Sequence, residues 1–235
     1  MTKSEVLKKL ESLGSTSIKK IFLNHGAKEP VHGVKVSDLK VILKQIKNDQ
    51  ALAMELYDSG VSDAMYLAGL VANGAKMTKK QLQDWANKAT WSMISESTVP
   101  WVAAESPYAH ELALEWIESK KEMVASAGWA TLGGLLALIP DNEIDIKEVK
   151  ELLKRIEQTI HQSPNRVRYV MNSYVIHAGG YVPELTELAI ATGKKIGVVH
   201  VDLGNTACEV PLITDYIQRM KEKGNIGKKK KTLKC

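Results

Sequence analysis

Ile146-Lys147-Glu148-Val149-Lys150-Glu151-Leu152-Leu153-Lys154-Arg155-Ile156-Glu157-Gln158-Thr159-Ile160 is the stretch that decides the fold class. Its apolar residues Ile146, Val149, Leu152, Leu153, Ile156 and Ile160 follow one another at steps of 3, 3, 1, 3 and 4. That spacing puts them on one face of a 3.6-residue period, with charged residues on the other. Leu39, Ile42, Leu43 and Ile46 repeat the pattern, with Lys40, Lys44 and Lys47 opposite and Ser37 where an N-cap would stand. Thr78 is predicted to cap a helix running to about Ser95. Ser163-Pro164 reads as an N-cap followed by proline at the first helical position, where its missing N–H costs nothing.

Working outward, all seven prolines (Pro30, Pro100, Pro107, Pro140, Pro164, Pro183 and Pro211) can stand at helix borders. Roughly 11 or 12 helices joined by short turns result. Ile196 to Leu203 has strand composition but no partner strand, so it reads as an extended connector. Many short helices without strands predict an all-α fold, either an irregular globular bundle or, as we favour, HEAT-like helical repeats forming a curved α-solenoid. A period of about 40 residues gives five or six helix pairs, although no self-similarity at that period is visible. We expect one domain over residues 1–220 and a basic C-terminal tail over 221–235.

Hydrophobic residues at 44% and charged residues at 25% are ordinary globular values. The two cysteines, Cys208 and Cys235, form no CxxC pair and suit a reducing cytoplasm. The first 30 residues contain no apolar signal-peptide core, and no long uncharged apolar run occurs, so no membrane association is expected. The net charge of +5 is unevenly spread. Residues 221–235 hold seven Lys against one Glu, residues 1–50 ten basic against five acidic groups, and residues 51–160 ten against sixteen. A basic terminal run either contacts phosphates or stays solvated.

Motifs of other chemistries fail on inspection. His110-Glu111-Leu112-Ala113-Leu114 lacks the second His of a zinc-protease helix, and Gly224-Asn225-Ile226-Gly227-Lys228 lacks the spacing and Ser/Thr of a phosphate loop. His200, Asp202 and Cys208 are suitable metal donors but scattered. Neither a metal nor a small-molecule cofactor is expected.

Val31-His32-Gly33-Val34-Lys35-Val36-Ser37-Asp38-Leu39-Lys40 resembles the opening signature of the DNA alkylation repair family of HEAT-repeat glycosylases. Leu56 to Gly60, Trp85 to Thr98, Gly128-Trp129-Ala130 and Asn165 to Tyr169 continue the resemblance in order, over roughly residues 31–195. The resemblance implies a concave basic groove that holds double-stranded DNA and releases cationic alkylated purines by hydrolysis of the N-glycosidic bond. Aromatic faces and one carboxylate would stabilise the growing positive charge. Carried over, the first aromatic is Trp91 and the second Tyr174. The carboxylate position is Ser95, with Glu96 adjacent but about 100° round the helix. The family's phosphate-contacting Arg falls on Ser126. Excision activity is thus expected to be weak or lost. The alternative is a non-catalytic nucleic-acid-binding or protein-interaction scaffold. Arg166 and Arg168, in the first turn after Ser163, and Lys228, Lys229, Lys230 and Lys231 are the expected phosphate contacts, the alternative for each being solvated surface charge. Trp116 and Trp129 read as core, Trp91 as core or platform. His177, near Tyr174, reads as a hydrogen-bonded helix residue before an acid or base.

Overall fold

The computed structural model describes residues 1–235, which form thirteen α-helices, short 3-10 and π turns, and no strand. The chain divides into two compact units: Met1–Tyr108 with Leu203–Ala207 and Lys234–Cys235, and Ala109–Asp202 with Cys208–Leu233.

The first unit holds α1 (Lys3–Leu13), α2 (Thr16–Asn24), α3 (Val36–Ile46), α4 (Gln50–Tyr57), α5 (Ser62–Val71), α6 (Lys79–Lys88) and α7 (Val99–Ala103). All ten residues of α5 are buried, and α1, α3 and α4 pack on it. At the start of α5 the buried Asp63 carboxylate accepts the backbone N–H groups of His32 (2.6 Å) and Val34 (2.8 Å). This fixes the loop between α2 and α3. Gly33 within it has φ +76°, and a Cβ there would lie 2.3 Å from the Lys19 nitrogen, so only glycine fits. Tyr57 stacks on Trp85 at 3.8 Å and donates to the Trp85 carbonyl at 2.7 Å.

Two expected helix borders shift here. Thr78 does cap α6, in a reciprocal box with Gln81, but the helix ends at Lys88 rather than near Ser95. The chain turns helical again beyond Trp91, through a π-turn at Ile94–Thr98 that runs into α7. Pro100 cannot donate to the carbonyl four residues back, and the wider turn precedes that lost rung. Likewise α3 starts at Val36 with Lys35 at the N-cap, so Ser37 lies inside the helix.

The second unit holds α8 (Ala109–Ile117), α9 (Glu122–Leu138), α10 (Ile146–Thr159), α11 (Asn165–Tyr181), α12 (Thr186–Ile196) and α13 (Ile213–Glu222). In α10 the predicted face is the buried one, at Val149, Leu152, Leu153 and Ile156. By contrast α9 is apolar nearly all round and α11, despite its polar residues, has ten of seventeen residues buried; the two form the inner layer, packed on each other and covered by α8, α10, α12 and α13. Gly128 lets α9 approach α8 so closely that a Cβ would meet the Ile117 nitrogen at 2.7 Å. The connector after α12 forms no strand, as expected, and the Asn165 side chain holds it by donating to the Asp202 carbonyl (2.7 Å) and accepting the Asp202 N–H (2.7 Å).

Successive outer helices are tied by polar pairs at near-constant sequence separation. His110–Glu148 spans 38 residues, Glu118–Arg155 37, Lys150–Glu184 34, Glu157–Lys195 38 and Glu187–Lys221 34. Such exposed pairs each contribute at most about 1 kcal/mol. Their spacing nevertheless exposes a repeat of helix pairs that residue identities hide.

Candidate nucleic-acid interface

The partly exposed side of α11 is a stripe at steps of 3, 4, 4 and 4: Arg166, Tyr169, Ser173, His177 and Tyr181. The Arg166 guanidinium lies over the Tyr169 ring at 4.5 Å, and His177 meets Tyr181 edge-on at 5.4 Å. Tyr174, one position off the stripe, points the other way. It is 2% exposed, packed edge-on against Trp129 at 5.5 Å, and burial pushes its hydroxyl pKa up. The expected aromatic platform at Tyr174 is therefore a core side chain, because a 100° step on α11 separates inside from outside.

Trp91 is interior too, 4% exposed and 5.7 Å from the Phe22 ring. It lines a narrow apolar slot with Phe22, Val34, Tyr66 and Met93. Ser95, at the position where the resemblance requires a carboxylate, is fully buried in the π-turn; Glu96, in the same turn, is partly exposed. Ser126 is also fully buried, so a phosphate-contacting Arg has no counterpart there. Trp85, Trp116 and Trp129 are core, and Trp101 sits edge-on to Tyr66.

The start of α11 departs from the anion site its N-terminus suggested. Pro164 stands at the N-cap without a side-chain cap, and the Ser163 hydroxyl turns back to the Thr159 carbonyl. The Arg166 N–H donates to Glu122 Oε1 at 2.7 Å, so a carboxylate of the chain already fills the place of an external anion. Arg168 is partly buried and its Nε makes no hydrogen bond.

Residues 221–235 do not hang free. After α13 the chain turns and residues 225–233 run as a strap over the C-terminal ends of α9 and α11. Last-turn carbonyls of a helix have no intrahelical donor, and the strap supplies three. Gly227 N–H donates to the Gly180 carbonyl (2.9 Å), Lys230 N–H to Ala137 (2.7 Å) and Lys229 Nζ to Leu136 (2.8 Å). Lys229 also pairs with Asp141 at 2.8 Å. The α9 surface under the strap is made of small residues: Leu233 lies over Gly134 and the His177 ring over Gly133. Desolvation, then the nearby Lys230 ammonium, push the His177 pKa down to about 4.

Of the four expected lysines, Lys229 is thus a structural cap. Lys228, Lys230 and Lys231 are exposed and pair with no carboxylate. Lys230 Nζ stands 5.7 Å from the Tyr181 ring and Lys228 donates to Asn225 Oδ1 at 3.1 Å. Sequence reasoning missed the strap, and also Tyr169, Tyr181 and Asn225. Only the four-residue spacing from Tyr169 to Tyr181 could have signalled the stripe.

Residues 6–204 match the model of the DNA alkylation repair enzyme family. The chain is 34% identical to the protein Lin0241 of Listeria innocua, covering 92% of this chain and 96% of that one. It is likewise 34% identical to Lmo0209 of Listeria monocytogenes, over 91% and 95%. A solved structure described as "a new family of proteins related to the HEAT-like repeat DNA glycosylases with affinity for branched DNA structures" agrees at TM-score 0.92 and 34% identity, covering 100% of both chains. The helix pairs tied at separations of 34 to 38 residues are accordingly HEAT-like repeats, and the chain belongs to the DNA alkylation repair enzyme family.

Proposed function

We propose that this protein binds DNA, branched forms in preference to linear duplex, and that base excision is lost. The observation that carries the reading is the strap: three exposed lysines without carboxylate partners, on a backbone fixed by its bonds to α9 and α11. Immobilised cations neutralise phosphates without first losing side-chain and backbone freedom together. Arg166, Tyr169 and Tyr181 extend the same surface with a cation and two ring faces. The preference for branched DNA rests on the description of the structural relative.

Against excision stands the chemistry of the π-turn. Stabilising an oxocarbenium-like sugar needs a fixed negative charge near it, and the Ser95 hydroxyl supplies none. Trp91 and Tyr174, buried in the core, offer no ring face to a lesion.

The test is fluorescence anisotropy with a labelled four-way junction and a linear duplex of the same length, together with a base-release assay on methylated DNA. We expect tighter junction binding that weakens with salt, and release no faster than the spontaneous rate. Release of methylated purine above that rate would overturn the loss of excision. Failure to bind either DNA at low salt would overturn the reading as a whole.

A further inference from the structure

Beside the strap, α13 leaves an open cleft of about 240 Å³ lined by Tyr216, Arg219, Met220, Lys223 and Asn225. That is below the roughly 300–1,000 Å³ of enclosed drug-sized ligand sites, and suits an open contact with one planar group. Tyr216 is 43% exposed, the most exposed aromatic ring of the chain. Docking of α13 does not require it, since the buried residues of that helix are Ile213 and Ile217. The Arg219 guanidinium lies 5.6 Å from the ring centroid, and its Nε donates to the Asp215 carbonyl at 3.3 Å, which holds the fork beside the ring.

Charge in the cleft is one-sided. Tyr216, Arg219, Met220 and Lys223 follow at steps of 3, 1 and 3, one face of α13. The acidic residues Asp215 and Glu222 border that face one turn either side of Arg219, but neither lines the cleft: the Asp215 carboxylate accepts from Thr214 and that of Glu222 from Gln218. Asn225 closes the cleft on the strap side and accepts from Lys228. Two cations and an accessible ring therefore stand next to the strap with no carboxylate among the lining residues.

We infer that this cleft is a binding site for a single unstacked nucleotide, its base on the Tyr216 ring and its phosphate between Arg219 and Lys223. The inference rests on the DNA-binding reading above and deepens it. In the interior of a linear duplex every base face is covered by its neighbours. Branch points, flaps and ends leave faces free, and stacking on an aromatic ring is the contact that such bases alone can make. The cleft thus gives the protein a way to tell branched DNA from duplex without reading sequence, while the strap lysines hold phosphates common to both.

The probe is a three-way junction with one unpaired 2-aminopurine nucleotide at the branch, set against a linear duplex of equal length. Wild-type protein should quench the 2-aminopurine, and Tyr216→Phe should preserve the effect. Tyr216→Ala should abolish the quenching and weaken junction binding about tenfold, as loss of one stacked base does, with duplex binding unchanged. Arg219→Ala should weaken the junction more than the duplex. An unchanged melting temperature checks that Tyr216→Ala, a surface substitution, remains folded. If Tyr216→Ala still quenches the probe and binds the junction like wild type, or loses equally on duplex, the cleft is not the site although the DNA-binding reading stands. If wild-type protein binds neither DNA, that reading falls and this inference with it.

Discussion

Replacing Asp63 by alanine removes the acceptor that holds the α2–α3 loop. Its carboxylate, 3% exposed, takes two backbone N–H groups at 2.6 and 2.8 Å. Hydrogen bonds to a charged group contribute about 1.5–3 kcal/mol each, and a buried donor left alone costs about 1–3 kcal/mol. Val34 is fully buried, so its N–H finds no water and its loss falls at the upper end. His32 is partly exposed and regains water, so its loss falls near 1 kcal/mol. We expect Asp63→Ala to lower unfolding stability by about 3–4 kcal/mol, and Asp63→Asn, which keeps one acceptor, by about half as much. Urea titration followed by circular dichroism reads both, with an unchanged slope showing that the unfolded reference is the same. A loss under about 1 kcal/mol for Asp63→Ala, or equal losses for the two variants, would refute this account of the loop.

Ser95→Asp should destabilise the protein by about 3 kcal/mol or more, because it takes a carboxylate out of water at a fully buried position. It should release no methylated purine; measurable release would revive the excision mechanism. Changing Lys228, Lys230 and Lys231 together to Ala should leave the melting temperature unaltered and reduce the slope of log binding constant against log salt by about 2–3, near 0.9 per phosphate contact. An unchanged slope would remove the strap from the interface. For His177, the folded pKa of about 4 lies below the ordinary 6.5, so the neutral ring favours the folded state. Stability should be constant above pH 6.5, fall as pH drops through the window down to about 4, and lose about 3 kcal/mol in all. His177→Gln should flatten that segment of the stability curve.

The parts legible in the sequence are those whose pattern is one-sided. The α10 face and the Thr78 cap announce themselves because a stripe or a cap is a local signal. The inner helix α9 carries apolar residues on every side, and α11 buries the polar Asn172 while Tyr169 and Tyr181 stay partly exposed, so period alone could not say that Tyr174 points inward while Ser173 faces out. Neither cap serine works as one: Lys35 precedes Val36 in the turn that starts α3, and Glu122 reaches α11 from a distant part of the chain. The strap was the largest gap. A run of four lysines looks like a solvated tail, and only the positions of the α9 and α11 carbonyls turn Lys229 and the Lys230 N–H into caps. By resemblance, the order of motifs puts the family's carboxylate position at Ser95; the burial of that residue comes from tertiary packing, which motif order does not carry.

That long-range capping sets a timetable for biosynthesis. Lys229 lies 93 residues after the Leu136 carbonyl it caps, so at about 5–20 residues per second α9 waits on the order of 5–20 s for its donors after it is made. A ribosome that stops between α13 and Gly227 yields a product with every helix present but none of the three donors, leaving the ends of α9 and α11 frayed. Nonsense codons at positions 223–227 should therefore behave as folding lesions, cleared by proteases, rather than as trims of a dispensable segment.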